Sequence, residues 1–237
     1  MCLVRNTHHL IIHLQTTRSM ISNVYNMDCM EGMKQFPDKF FELAIVDPPY
    51  GIGDFNQSRG RKIHKAIEWN DDIPTQEYFI ELERVSKHRI IWGSEYYARF
   101  INDRGRIVHD KTGGGKRMQL PELSDVDIAS HSFGVNQKIF HFTWQGNVQG
   151  NSVNWNNSGS NGRVHPCQKP IELYKWCLDR YAKSGDKILD THMGSQSSRI
   201  AAHQMGFDYW GYEIDKDYFE AGCKRFDLVT SQMRMML

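Results

Sequence analysis

Apolar residues fall along this chain in two rhythms: short continuous runs suited to buried strands, and stretches where they recur at helical spacing. The strand-like runs are Val24-Tyr25, Phe41 to Val46, Arg89 to Trp92, Arg106 to His109, Lys138 to Trp144, Lys187 to Leu189 and Tyr209 to Tyr212. Between them, Thr75 to Lys87 sets Tyr78, Phe79, Leu82 and Val85 on one helical face behind Pro74. Pro170 to Lys183 does the same with Leu173, Trp176, Cys177 and Leu178, and Gly185 closes that end. A further helix is expected from about Ser197, between a strand ending at Asp190 and one ending at Glu213. Such alternation predicts an α/β fold.

The rhythm breaks between about Thr112 and Gly162, where glycine, asparagine and glutamine accumulate and the stretch ends in GNVQGNSVNWNNSGSNG. Two readings stand: a long surface loop, or a small recognition region inserted on the sheet. Structureless loops of that length inside a compact domain are usually functional or disordered.

Length and composition narrow the class. The 237 residues, 40% hydrophobic and 24% charged, suffice for one sizeable core, so a single domain over 1–237 is expected, with 1–20 as an N-terminal extension. The five cysteines form no CxxC pair and no apolar run approaches 18 residues. Both points favour a reduced, cytoplasmic protein with no structural metal and no membrane span. The start, MCLVRNTHHLIIHLQTT, lacks the features of a secretory signal. Net charge is only +1, so attraction to nucleic acid must come from local clusters such as Arg59, Arg61, Lys62 and Lys65 in SRGRKIHK. That loop would meet a DNA backbone or simply be solvated. TGGGK, residues 112 to 116, lacks the spacing and following Ser or Thr of a phosphate-binding loop.

Two stretches carry candidate chemistry. In open α/β sheets ligands bind beyond the carboxyl ends of the strands, so Asp47, after FELAIV, would project into a crevice. Pro48 and Pro49 make the turn rigid and lack N–H donors, leaving carbonyls and the Asp47 carboxylate as acceptors, and Tyr50 adds a flat ring. Acceptors beside an aromatic plate suit the exocyclic amine of a flipped nucleobase; a strand ending in a proline turn is the plainer alternative. In DKILDTHMGSQSSRIAAHQMGFDYWGYEID a strand, a Gly194-Ser195 turn, a helix and a second strand ending in Glu213 follow in order. That is the layout of a nucleoside-binding βαβ unit whose acidic residue accepts ribose hydroxyls.

Three segments resemble the S-adenosylmethionine-dependent, amino-methylating DNA methyltransferases, in the permuted order with the Asp-Pro-Pro-Tyr turn ahead of the cofactor loop. They are NMDCMEGMKQFPDKFFELAIVDPPYG, RVHPCQKPIELYKWCLDRYAKSGDKILD and GYEIDKDYFEAGCKRF, and the resemblance spans about residues 22 to 227. It implies a Rossmann-like methyltransferase fold, a mixed, mostly parallel sheet flanked by helices. It implies that Asp47, Pro48, Pro49 and Tyr50 are catalytic, that Glu213 holds the cofactor ribose, and that Asp28 and Cys29 meet its adenine. Asp190, Gly194 and Ser195 would line the methionine end, with Ser197 in the same cofactor-binding loop, and His165, Lys169 and Pro170 would pack beside the methionine. Double-stranded DNA is the implied partner; monomer or homodimer stays open. An aspartate opening the turn is typical of adenine-N6 members of the family, whereas cytosine-N4 members more often carry serine. N4 methylation, RNA or protein substrates, and a catalytically impaired DNA-binding relative are the alternatives. The cofactor loop departs from the family's usual D-P-F-x-G-S-G-[ST], reading Asp190-Thr191-His192-Met193-Gly194-Ser195-Gln196-Ser197. Gln196 in place of glycine is expected in the helical region rather than at positive φ.

Overall fold

Phe41–Val46 forms β2, a central strand of an eight-stranded sheet, and is buried along nearly its whole length. The computed structural model describes residues 20–51, 73–115, 124–145, 148–149, 164–165 and 167–234. Before β2 come β1 (Ser22–Asn26) and α1 (Cys29–Met33). After it come α2 (Gln76–Val85), β3 (Ser86–Trp92), β4 (Gly105–Asp110), β5 (Val126–His131) and β6 (Gln137–His141). A two-residue hairpin follows, β7 (Trp144–Gln145) with β8 (Val148–Gln149). The chain closes with α3 (Ile171–Tyr181), β9 (Lys187–Asp190), α4 (Ser197–Met205), β10 (Asp208–Glu213) and α5 (Lys216–Arg234).

Strand order across the sheet is β1, β10, β9, β2, β3, β5, β4, β6. Every neighbouring pair is parallel except the two made by β5, which lies antiparallel between β3 and β4. Helices cover both faces. Leu43 and Ile45 of β2, with Ile90 and Trp92 of β3, pack under α3 (Leu173, Tyr174, Cys177, Leu178) and α4 (Ala201, Ala202). Ala44, Val46 and Ile91 pack under Met33 of α1 and Tyr78, Phe79, Leu82 and Val85 of α2. A strand covered on both sides needs an unbroken apolar run, which is why β2 is so plain in the sequence. Among the described residues no helix is long and apolar enough to cross a membrane.

Three elements differ from expectation. α1 is a single short turn, too brief for apolar periodicity, and is marked only by Asp28, whose carboxylate caps it by accepting the Met30 N–H at 2.8 Å. β5 buries Ala129, Ser130 and His131, small or polar residues that do not read as a core strand. The expected strand Lys138 to Trp144 ends at His141, and Trp144 opens the separate hairpin. Both β5 and β6 lie within 112–162, so strands make up much of the described part of that region. The run at 151–162, like the extension before residue 20, lies outside the described residues.

Candidate active site

The sheet reverses direction between β9 and β2: from β9 the chain continues through α4 to β10 on one side, and from β2 through α2 to β3 on the other. Ala44 pairs with Leu189, so the turn after Val46 and the loop after Asp190 leave the sheet side by side. This is the switch point at which open α/β sheets bind ligands.

One cavity of about 240 Å³ joins the two loops; its wall includes Asp47, Pro48, Pro49 and Tyr50 from one, His192, Met193, Gly194 and Ser195 from the other, and Glu213 from the end of β10. His165, Cys167, Gln168 and Lys169 close a third side ahead of α3. A more open cavity of about 270 Å³ adjoins it through the shared residues Pro49 and His192, lined by Cys29, Met30, Ile73, Pro74, Thr75 and Tyr78.

At the turn, both carboxylate oxygens of Asp47 are engaged. The Tyr50 hydroxyl donates to Oδ1 at 2.5 Å, and the Lys169 ammonium donates to Oδ2 at 2.6 Å and to the Tyr50 oxygen at 3.1 Å. The Tyr50 ring stacks on Tyr96, 4.9 Å away and 11° from parallel. The proline carbonyls are not all free acceptors, as the sequence alone suggests: the Tyr97 hydroxyl donates to both Pro48 O and Pro49 O at 2.6 Å. Each carbonyl keeps a second lone pair, so the turn is braced from behind and still able to accept from the cavity side. Gly93, at φ +71°, makes room for Tyr50; a Cβ there would stand 2.2 Å from its ring.

At the end of β10, beside the Gly194 loop, Glu213 accepts the N–H groups of Gly194 and Asp215, each at 2.9 Å, and remains part of the cavity wall. Burial pushes its carboxyl up to about 7. Asp190 is almost wholly buried behind the loop and accepts from Ser198 Oγ at 2.6 Å and the His192 N–H at 3.0 Å. Burial raises it to about 7 as well, with smaller contributions from Asp47 and Glu213. Gly194, at φ +44°, lies against the His165 ring, 3.3 Å from where a Cβ would sit. His192 shares a chain of hydroxyls, Thr191 Oγ1 at 2.9 Å from its Nδ1 and Tyr78 at 2.6 Å from Thr191, and burial lowers it to about 4.

Gln196 corrects the expectation drawn from its side chain. It sits at φ 59° and ψ 28°, the left-handed region, as the N-cap of α4. What holds it there is its buried amide, which donates to Phe219 O at 3.3 Å and Cys223 Sγ at 3.2 Å of α5 and accepts from Arg199 at 2.8 Å. Gly222 lets α5 come that close, since a Cβ would stand 2.8 Å from the glutamine side chain.

The expected residues therefore separate. Asp47, Pro48, Pro49, Tyr50, His165, Lys169, Gly194, Ser195 and Glu213 share one cavity, and Cys29 lines its neighbour. Asp28, Pro170, Asp190 and Ser197 line neither: Asp28 caps α1, Pro170 caps α3, Asp190 braces the loop, and Ser197 Oγ accepts from Arg225 at 3.0 Å. Arg59, Arg61, Lys62 and Lys65 lie outside the described residues. Sequence reasoning missed Tyr96, Tyr97 and His192; consecutive tyrosines just after a strand end were the available signal for the first two.

Switch-point cavity, paired loops and a single antiparallel strand beside β3 define the fold as Rossmann-like, of the kind seen in methyltransferases. The profile of the family described as DNA methylase, of N6/N4 type, matches residues 115–224. A protein named as a methylase, YubD of Escherichia coli (strain K12), is 25% identical over 222 residues, covering 87% of this chain and 91% of its own. Among solved structures, the PvuII DNA methyltransferase, cytosine-N4-specific, is similar at a TM-score of 0.58 with 15% identity, covering 87% of each chain. TTHA0409 of Thermus thermophilus, a DNA modification methylase complexed with S-adenosyl-L-methionine, is similar at a TM-score of 0.54 with 14% identity, covering 87% of this chain and 93% of its own. Over residues 115–224 the chain is thus similar to DNA methylases of the N6/N4 type, and over most of its length to the fold of solved DNA methyltransferases.

Proposed function

We propose that this chain transfers the S-adenosylmethionine methyl group to N6 of an adenine flipped out of double-stranded DNA. The carrying observation is that one cavity is walled by both the Asp47 turn and the Gly194 loop with Glu213. The residues fit the cofactor's chemistry: Glu213 has lone pairs for the ribose hydroxyls, Gly194 and Ser195 allow close backbone approach, and Cys29 faces an apolar neighbouring cavity suited to a purine. When bound, the cofactor supplies an electrophilic methyl carbon.

The chain's own residues handle the amine. Asp47 and the free lone pair of the Pro48 carbonyl would accept from the exocyclic N–H groups and favour a tetrahedral, nucleophilic nitrogen. Tyr50, already stacked on Tyr96, would carry the base face, and no covalent enzyme intermediate is needed. The aspartate that opens the turn supports adenine over cytosine, and the Tyr50 ring, backed by Tyr96, offers a fixed face for stacking. Sequence preference would come from within 112–162, and general affinity from Arg59, Arg61, Lys62 and Lys65.

Mass spectrometry of nucleosides from DNA treated with protein and cofactor tests this. N6-methyladenine is expected; N4-methylcytosine alone would overturn the base, and no methylated DNA the whole reading. Asp47→Ala should abolish the product while leaving cofactor affinity, measured by calorimetry, within about twofold, because its partner is the base amine.

A further inference from the structure

We propose that Lys169 is a positioning residue of the base site: its ammonium fixes one oxygen of Asp47, and the incoming amine takes the other oxygen by displacing the Tyr50 hydroxyl. The inference rests on the methyl-transfer reading above and departs from a cofactor-side role for Lys169.

Asp47 has two donors, Lys169 on Oδ2 and Tyr50 on Oδ1, and a base amine must compete with one of them. The two are unequal. Lys169 is 7% exposed, and its ammonium lies 5.6 Å from the Tyr50 ring centroid and 5.7 Å from that of Trp92. Separating a buried ammonium from its carboxylate leaves two uncompensated charges, the costliest way to open such a site. A second anion reinforces the arrangement: Asp127 on β5, bound to Lys111 at 2.8 Å and 3.6 Å from His109 Nδ1, acts on Lys169 from the sheet side. Burial works against the lysine's charge, but Asp47 and Asp127 together outweigh it and hold its pKa above the ordinary value.

Tyr50 gives up less. When its hydroxyl leaves Asp47, its oxygen still accepts from Lys169, so the ammonium stays paired and the neutral phenol gives up only its donated bond. Its ring remains seated against Gly93 and Tyr96 as the stacking surface. The phenol thus stands in for the substrate amine in the free protein, and the lysine decides which carboxylate oxygen faces the base.

Kinetics and chemical labelling together test this. In Lys169→Met, kcat should fall about 100-fold while the calorimetric Kd for S-adenosylmethionine stays within about threefold; Lys169→Arg should recover about tenfold of that loss. Tyr50→Phe should lower the KM for DNA by about threefold, because a competing donor is gone. A Kd weakened tenfold in Lys169→Met with kcat unchanged at saturating cofactor would make Lys169 a cofactor ligand and overturn the proposal. So would a KM raised by Tyr50→Phe. Labelling of Lys169 by an acylating reagent, read by peptide mass spectrometry, needs no turnover: it should be low in the wild type, rise about fivefold or more in Asp47→Ala, and be unchanged by added cofactor. Protection by cofactor and not by Asp47 would sink the inference. Wild-type protein that methylates no DNA yet shows the expected labelling would sink only the methyl-transfer reading.

Discussion

In the proposed reaction Glu213 faces two demands that set its protonation in opposite directions. In the free protein, burial raises its carboxyl to about 7, whereas accepting two ribose hydroxyls requires the ionised form. Cofactor affinity should therefore strengthen as pH rises, with the Kd at pH 6 about tenfold weaker than at pH 8. Calorimetry across that range on the wild type and on Glu213→Gln tests it, since the variant should show no such slope. Glu213→Ala should weaken binding by about 1–3 kcal/mol at pH 8. The same shifts affect folding. Between the ordinary carboxylate pKa and about 7, native Glu213 and Asp190 hold protons that the unfolded chain has released, so free-protein stability falls as pH rises through that window. Gly93 is the other residue whose environment dictates its identity. Gly93→Ala combines a left-handed φ with a Cβ 2.2 Å from the Tyr50 ring. It should cost about 1–3 kcal/mol of stability and lower methyl transfer by more than that loss explains, because the stacking ring is displaced. Transfer assayed well below the variant's melting temperature checks this, and wild-type activity there would remove Tyr50's seat from the site.

α4 begins where the sequence places it, after the Gly194-Ser195 turn, but how it begins depends on α5. A non-glycine residue in the left-handed region costs about 1–2 kcal/mol. The Gln196 amide offsets this with three part-buried hydrogen bonds to α4 and α5, the one from the charged Arg199 the strongest, at about 1 kcal/mol each on average. Gln196→Gly would relieve the first effect and forfeit the second. The expected net result is a loss of about 1–2 kcal/mol, or roughly 2–8 °C in Tm, measured by thermal unfolding. A higher Tm would mean that backbone strain outweighs the clamp. α1, by contrast, owes its start to a local signal, the Asp28 cap, that a sequence shows whenever the element is sought.

Over the whole molecule the charges nearly cancel, leaving +1, so long-range attraction to DNA is weak and the interface must be local. Replacing Arg59, Arg61, Lys62 and Lys65 with alanine should weaken binding to all duplexes and flatten the salt dependence by about 0.9 in slope per lost phosphate contact. The methylated sequence should not change. Affinities at several salt concentrations, with methylation mapping on the same variant, separate the two roles, and a shifted target site would assign this loop to base readout.

The α/β class, the places of β2, α2, α3, β9 and β10, and the Asp47 turn with the Gly194 loop were legible in the sequence. Each is specified locally: an unbroken apolar run, a helical stripe, a turn whose prolines restrict the backbone, or one whose glycine admits a conformation other residues avoid. Residues whose roles come from partners far along the chain were not legible. Lys169 reaches an aspartate 122 positions away, Tyr97 braces carbonyls 48 and 49 positions away, and β5 is a strand because β3 and β4 offer it a place between them. Gln196 shows the division within one residue. Its side-chain chemistry argued against positive φ, and only the approach of α5 past Gly222 supplied the contacts that make that conformation the favourable one.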